Sequence, residues 1–118
     1  MIFIVDDDHA TRDSLRLLFE IAGFEAKVFS CSEAFMEDAA FTGHDCLILD
    51  VHMTGMSGVE LLEQLRRAGN EVPVIIITGA PSAAISARAK AEGALAVLQK
   101  PFNPSQVLSL GAAAVRGF

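Results

Sequence analysis

Apolar residues are concentrated in five short runs along the chain, and each run gives way to polar or glycine-containing sequence. The runs are rich in β-branched side chains and too short for amphipathic helices, so the pattern favours buried strands. The predicted strands comprise residues 2–5, 24–29, 46–49, 72–77 and 95–98.

The segments between these runs carry apolar residues three and four positions apart, which predicts a helix after each strand. The first helix lies between Asp8, a suitable N-terminal cap, and Gly23, a typical C-terminal stop. The other predicted helices comprise residues 33–40 with Ser32 as cap, 57–68, 82–92, and a last helix from a cap at Asn103 or Ser105 to about Val115.

Five alternations of strand and helix predict a parallel sheet covered by helices on both faces, because right-handed crossovers place each helix against the sheet. A flavodoxin-like, doubly wound α/β fold with its five strands in the order 2-1-3-4-5 is a common solution for this pattern. The length of 118 residues and the lack of an internal linker indicate a single domain, residues 1–118.

Composition limits the functions that this chain can serve. Hydrophobic residues make up 52% of the chain, and the net charge of −6 comes without a basic stripe, which argues against direct nucleic-acid binding. No apolar run approaches the about 20 residues that span a membrane, and the N-terminus does not resemble a signal peptide, so a cytoplasmic location is expected. Cys31 and Cys46 lack the spacing of a metal or redox pair and are expected to be unpaired.

Polar side chains stand at the ends of four of the predicted strands. Asp6 and Asp7 follow the first strand, Asp50 the third and Thr78 the fourth, and Lys100 stands at the end of the fifth. In the 2-1-3-4-5 order these strands are neighbours, and such sheets bind their ligands at the carboxyl ends of the strands. We therefore expect these five side chains to meet at one edge of the sheet.

The residue types at this edge indicate phosphoryl chemistry. Three neighbouring carboxylates repel one another unless a cation lies among them, and oxygen ligands of this kind suit Mg²⁺. A hydroxyl donor and an ammonium group beside the metal are suited to bind a phosphoryl group, with a carboxylate as nucleophile. Each motif alone has an ordinary explanation as a helix cap, a turn or a surface loop, so the prediction rests on their combination.

From Ile2 to about Val115 the chain resembles the receiver domain of bacterial two-component response regulators. The motifs that carry the resemblance are Ile4-Val5-Asp6-Asp7-Asp8, Leu49-Asp50, Met56-Ser57-Gly58-Val59-Glu60-Leu61, Ile77-Thr78-Gly79 and Lys100-Pro101-Phe102. The third and fourth of these are most similar to transcriptional regulators of the nitrogen-fixation or nitrate-response type.

The resemblance implies that a sensor histidine kinase phosphorylates Asp50 in a reaction that requires Mg²⁺. Thr78 and Lys100 would each bind an oxygen of the phosphoryl group, and the peptide bond between Lys100 and Pro101 would be cis. Catalysis would be limited to the chain's own phosphoryl transfer and autodephosphorylation, so the protein would be a switch rather than an enzyme. The implied metal-binding groups are Asp7, Asp50, the backbone carbonyl of His52 and, through water, Asp6.

The resemblance also implies what phosphorylation would do. It would switch a dimerisation and output surface formed by helix 82–92, strand 95–98 and helix 104–115, and thereby control transcription through an output domain outside this chain. The first helix, near Arg12 and Leu15, would dock the kinase.

Four positions bear on how such a switch would work here. Thr54 stands where the family often has a proline, which removes a backbone restraint from the loop after Asp50. Val97 stands where many receivers carry a switch Tyr or Phe, so we expect movement of the backbone and loops, or a muted switch. His52 and Ala80 stand where the family controls the access of water to the acyl phosphate, and Ala80 cannot orient a water molecule.

Two other functions stay open on the sequence alone. The departures at Thr54 and Val97 are compatible with a degenerate receiver that binds partners without phosphorylation. An aspartyl-phosphate hydrolase would also use an Asp nucleophile and Mg²⁺. Such enzymes commonly need a second Asp two residues further on, where this chain has His52.

Overall fold

The structure, a computed structural model, describes residues 1–116, so Gly117 and Phe118 of the predicted domain lie outside the described residues. Strands and helices alternate five times, as the sequence predicts. The strands are β1 (Ile2–Val5), β2 (Ala26–Phe29), β3 (Cys46–Asp50), β4 (Val74–Thr78) and β5 (Ala96–Gln99). The helices are α1 (His9–Ile21), α2 (Ser32–Asp38), α3 (Gly58–Arg67), α4 (Ala83–Ala91) and α5 (Pro104–Arg116).

The five strands form one sheet in the order β2-β1-β3-β4-β5, and every pair is parallel. This confirms the flavodoxin-like α/β fold. All residues of β1, β3 and β4 are buried, which explains why these strands are continuous apolar runs without polar alternation. The pairing of Val5 with Leu49 and of Asp50 with Ile77 brings the carboxyl ends of these strands to one edge.

Two hydrophobic cores lie on opposite faces of the sheet, because successive residues of a strand point to opposite sides. Ile2 and Ile4 pack with Leu15 and Phe19 of α1 and with Val107 of α5. A Cβ at Gly111 would lie 2.7 Å from the ring of Phe19, so α5 approaches α1 at a position that requires glycine. The other core lies under α2, α3 and α4 and contains Phe3, Val5, Phe35, Leu61, Leu62 and Ala89.

Several predicted boundaries are wrong by one or two residues. The second strand begins at Ala26 rather than at residue 24, since Phe24 bonds through its amide to the carbonyl of Phe19 and packs on that ring. The fourth begins at Val74 rather than at residue 72, since the amide of Val72 bonds to the side chain of Asn70. The third and fourth strands also continue through Asp50 and Thr78, and the fifth is shifted by one residue to Ala96–Gln99.

The caps of α1 and α5 agree with the sequence, but the cap of α2 does not. Ser82, predicted as the first residue of the fourth helix, is instead its cap. Asp8 and Ser82 accept hydrogen bonds from backbone amides in the first turns of α1 and α4, and Asn103 does so at α5. Cys31, not Ser32, caps α2, and its sulfur accepts from the amide of Ala34. Ser32 is instead the first helical residue, and α2 ends at Asp38, two residues before the predicted end.

The cysteines and the surface of the fold carry little further information about function. Cys31 and Cys46 are free thiols, as predicted. Burial raises the pKa of Cys46 to about 12, which makes this thiol unreactive at neutral pH. Among residues 1–116, no helix combines the length and apolar character needed to cross a bilayer.

Candidate functional site

The five side chains predicted to converge do lie at the carboxyl ends of four adjacent strands. Asp50 and Thr78 are the last residues of β3 and β4, Asp6 and Asp7 follow β1 directly, and Lys100 follows β5 directly. Strands β1, β3, β4 and β5 are neighbours in the sheet. Residues that are far apart in sequence therefore form one site.

Three carboxylates form an acidic cluster within this site. Asp6, Asp7 and Asp50 each offer a carboxylate oxygen, and these oxygens lie within 4.8 Å of one another. Asp6 and Asp50 are buried, with 0% and 3% of their surface exposed, whereas Asp7 is exposed. The cluster is therefore open to solvent on the side of Asp7 and closed on the side of the sheet.

Lys100 provides the positive charge that this cluster faces. Its Nζ donates to Oδ2 of Asp6 at 2.9 Å and lies 3.4 Å from Oδ1 of Asp50. Its amide donates to the carbonyl of Thr78 at 2.8 Å, and its peptide bond to Pro101 is cis. Burial alone would lower the pKa of Lys100, but the hydrogen bond and charge of Asp6, and then Asp50, raise it, so the ammonium group stays charged.

The environment of Asp50 works against its ionisation. Burial, and then the negative charge of Asp6, raise the pKa of Asp50 to about 6, and Lys100 offsets only part of this rise. A buried carboxylate beside a second carboxylate is stabilised by an added cation, so the cluster holds unsatisfied negative charge. This is the property of a metal site rather than of a closed ion pair.

Local contacts fix Asp6. Its Oδ1 accepts from the amide of Asp8 at 2.9 Å, and its backbone carbonyl accepts from the guanidinium of Arg12 at 2.8 Å. Sequence reasoning assigned Arg12 only to kinase docking and missed this second contact. Arg12 lies six positions after Asp6, in the first turn of α1, and no sequence motif predicts this contact.

Thr78 is buried and has a fixed hydroxyl oxygen. Its Oγ1 accepts a hydrogen bond from the amide of Ala80 at 3.1 Å, which leaves the hydroxyl proton as the donor. Thr78 therefore stands at the end of β4 as an oriented hydrogen-bond donor. Ala80 is exposed and contributes only its backbone.

The loop after Asp50, residues 51–57, returns the chain to α3 beside the site. Val51 donates to the carbonyl of Ile77 at 3.0 Å and accepts from the amide of Gly58 at 3.2 Å. A Cβ at Gly58 would lie 2.2 Å from the backbone oxygen of Asp50, so only glycine permits this approach. His52 lies in this loop with its side chain exposed, and metal binding by its carbonyl stays a prediction.

Helix α2 also contacts this loop, which no sequence motif predicts. The hydroxyl of Ser32 donates to the carbonyl of Met56 at 3.0 Å, and the carboxylate of Glu33 accepts from the amide of Met56 at 3.1 Å. The side chain predicted to cap α2 thus serves a different purpose. The contact spans more than twenty positions and has no local pattern that would reveal it.

The residues of the site fit Mg²⁺. The available donors are carboxylate and carbonyl oxygens, which hard divalent cations prefer, and one or two carboxylates with water and phosphate oxygens are typical of Mg²⁺. Burial of two of the carboxylates and the raised pKa of Asp50 mean that a bound cation would relieve a repulsion already present.

Comparison with known proteins agrees with this geometry. The family described as the response regulator receiver domain matches residues 2–110. The chain therefore belongs to the receiver domains of two-component response regulators, a family of signalling proteins in which phosphorylation and a histidine kinase partner are implied. The resemblance drawn from the sequence is confirmed.

Individual relatives are response regulators that are longer than this chain, and one of them is named a transcriptional regulator. The transcriptional regulatory protein FixJ of Bradyrhizobium diazoefficiens is 33% identical over 98% of this chain and 56% of its own length. The response regulator protein TodT of Pseudomonas putida is 34% identical over 98% of this chain and 51% of its own length. The structure of the response regulator StyR is 38% identical with a TM-score of 0.90, over 98% of this chain and 58% of that chain. The chain thus spans about half the length of these relatives.

Proposed function

We propose that Asp50 accepts a phosphoryl group from the phosphohistidine of a sensor kinase in a reaction that requires Mg²⁺. The observation that carries the proposal is the convergence of three carboxylates within 4.8 Å of one another on the ammonium group of Lys100. This combination supplies a nucleophile, a cation site and a fixed positive charge at one sheet edge.

In the proposed reaction a carboxylate oxygen of Asp50 attacks the phosphorus atom. The P–O bond to Asp50 forms as the P–N bond to the kinase histidine breaks, and the imidazole leaves with its electron pair. Mg²⁺ bound by Asp7, Asp50 and the carbonyl of His52, with Asp6 acting through water, would neutralise charge on the phosphoryl oxygens. Catalysis is confined to this transfer and the later loss of the phosphoryl group.

Thr78 and Lys100 act on the phosphoryl group once it is attached. The Thr78 hydroxyl, whose oxygen already accepts from Ala80, has its proton available to donate to a phosphoryl oxygen. Lys100 would exchange its contact with Asp50, now an acyl phosphate, for another phosphoryl oxygen. Both residues end adjacent elements, so the new bonds draw the ends of β4 and β5 towards Asp50.

The proposed output of this change is control of transcription. Helix 82–92, strand 95–98 and helix 104–115 would form the phosphorylation-dependent dimer and output surface, with an output domain outside this chain. The names of FixJ and of similar relatives support this assignment, as do their lengths. A cytoplasmic location of this chain and docking of the kinase on α1 beside the site, near Arg12, belong to the same proposal.

Incubation with acetyl phosphate and Mg²⁺, followed by intact mass measurement, tests the proposal. One added phosphoryl group is expected in the wild-type chain, and none in Asp50→Asn or in the presence of a chelator. Addition without Mg²⁺, or equal addition to Asp50→Asn, would contradict the assignment. Continuous turnover of a generic phosphate ester would instead indicate a hydrolase.

A further inference from the structure

Two consecutive side chains at the start of α2 bind the two backbone polar groups of Met56. The Ser32 hydroxyl donates to the Met56 carbonyl at 3.0 Å, across 24 positions in the chain. The Met56 amide donates to Oε2 of Glu33 at 3.1 Å, across 23 positions. Met56 lies in the loop between Asp50 and α3, so these bonds tie that loop to a different element.

The two hydrogen bonds to Met56 differ in the burial of their side chains, and both depend on the close approach of α2 to the loop. Ser32 is completely buried, and a buried hydroxyl without a partner is costly, so its bond to Met56 is closely tied to the fold. Glu33 is exposed, yet the loop backbone passes against it: a Cβ at Gly55 would lie 3.0 Å from Oε2. Gly55 also has a φ of +84°, which favours glycine.

The loop is held at two points with the predicted metal-binding carbonyl between them. At its base, Gly58 donates to Val51 at 3.2 Å; near its tip, α2 binds Met56. His52 lies between these points. Thr54 also lies there, where a proline would have restricted the backbone, so the bonds from α2 supply a restraint that the loop's own sequence lacks.

We propose that Ser32 and Glu33 are positioning residues for the Mg²⁺ site. By holding Met56 they restrain residues 52–57, and thereby orient the carbonyl of His52, the predicted metal-binding carbonyl of this loop. The inference rests on the proposed function, since it concerns the metal that phosphorylation requires. Groups that orient metal ligands commonly affect metal affinity without contacting the metal.

Substitutions at Glu33 separate this role from ordinary helix stability. Glu33→Ala removes the acceptor for the Met56 amide, whereas Glu33→Gln keeps an acceptor oxygen and loses only the charge. Both lose the favourable interaction of a carboxylate with the first turn of α2, so any effect of helix stability is common to them. Glu37→Ala, an exposed carboxylate on the same helix, is the control.

Two measurements on the whole chain report the outcome: Mg²⁺ affinity, from the rise of Tm with Mg²⁺ concentration, and hydrogen exchange of the Met56 amide. We expect Glu33→Ala to weaken Mg²⁺ affinity by about tenfold and to accelerate exchange at Met56. Ser32→Ala should weaken affinity similarly. Glu33→Gln and Glu37→Ala should resemble wild type, and Thr54→Pro added to Glu33→Ala should restore part of the affinity.

The outcomes distinguish this inference from the proposed function. If the wild-type chain binds Mg²⁺ and Glu33→Ala binds it equally well, the inference is overturned and the proposed function stands. Accelerated exchange at Met56 with unchanged affinity would assign the contact to loop structure alone and would also overturn it. If the Tm of the wild-type chain does not rise with Mg²⁺ concentration, the proposed function is contradicted, and the inference that rests on it is overturned as well. Should Ser32→Ala not fold, the exposed Glu33 pair decides the question.

Discussion

The ammonium group of Lys100 lies 2.9 Å from Oδ2 of Asp6, although 94 positions separate the two residues in the chain. Their pairing closes the site from the side of β5. Asp50 lies 3.4 Å from the same nitrogen, so its negative charge is only partly compensated. One cation thus faces several carboxylates, which is why the site favours a second, divalent cation.

Removing the charge of Lys100 should therefore raise the pKa of Asp50 further and destabilise the metal-free fold. We expect Lys100→Met to lower the free energy of unfolding at pH 7 by about 1–2 kcal/mol, less than for a fully enclosed ion pair because Lys100 is partly exposed. Thermal unfolding with and without Mg²⁺ measures this. Lys100→Arg, which keeps the charge, is the control; equal loss in both variants would indicate a packing effect instead.

Neutralising Asp50 should stabilise the metal-free protein. The folded-state pKa of about 6 lies above the ordinary value of 3.8, so between these values the folded state binds more protons and stability falls as pH rises. The cost of ionising Asp50 in the folded state is present above pH 6. Asp50→Asn should remove this cost and add about 1–2 kcal/mol to the free energy of unfolding at pH 7.

Denaturant unfolding at several pH values checks this prediction. The two proteins should converge as pH approaches 4, separate between about 4 and 6, and differ by a constant amount above 6, while Glu37→Gln should follow the wild-type curve. Saturating Mg²⁺ should narrow the gap, because the metal stabilises the wild-type site. A pH-independent difference between wild type and Asp50→Asn would refute the stated origin of the effect.

Gly58 should tolerate no side chain, because a Cβ there would lie 2.2 Å from the carbonyl oxygen of Asp50. We expect Gly58→Ala to cost about 2–3 kcal/mol of stability and to displace Asp50. Gly79→Ala is a matched control, since apart from its chain neighbours no atom of residues 1–116 lies within 4 Å of its added Cβ. Urea unfolding of both variants gives the comparison, and similar small losses would show that the loop adjusts readily.

Polar contacts join α4 and its C-terminal cap to α3, in addition to the apolar packing of Ile85 and Ala89 in the core. Arg88 binds both carboxylate oxygens of Glu63, and Arg66 donates to the carbonyl of Glu92, whereas Ala89 is the buried residue of α4. Because exposed ion pairs are weak and sensitive to salt, the pair between Arg88 and Glu63 can be broken easily.

Loss of the Arg88 pair should loosen α4 without unfolding the domain. We expect Arg88→Ala to accelerate amide hydrogen exchange of residues 83–91 by about two- to fivefold, and high salt to produce a similar change in the wild-type chain. The charge exchange Glu63→Arg with Arg88→Glu should restore slow exchange. Unaltered exchange in Arg88→Ala would mean that packing against β5, rather than the ion pair, holds α4.

The sequence predicted the sheet order and the position of the site because both depend on strong local signals. The strands are apolar throughout since both of their faces are covered, and Asp50, Thr78 and Lys100 stand immediately at their ends. The predicted strand limits were less accurate. Val72 has the residue type of a strand, but its amide donates to the side chain of Asn70 rather than to a neighbouring strand.

Contacts between distant residues could not be predicted in this way. Cysteine is not a preferred helix cap, so Ser32 was expected at the position that Cys31 occupies, and the bond from Ser32 to Met56 has no sequence pattern. The same holds for the bond from Arg12 to the carbonyl of Asp6. The roles of Asp6, Asp7, Asp50, Thr78 and Lys100 stay predictions, even though their positions agree with the expected site.

The central claim is that Asp50 alone among the clustered carboxylates accepts the phosphoryl group. Borohydride reduction of an aspartyl phosphate converts that residue to homoserine, which peptide mass spectrometry can locate. After incubation with acetyl phosphate and Mg²⁺, we predict homoserine at position 50 and unchanged aspartates at positions 6 and 7. Homoserine at position 6 or 7, or no homoserine while a control receiver is modified, would contradict the account.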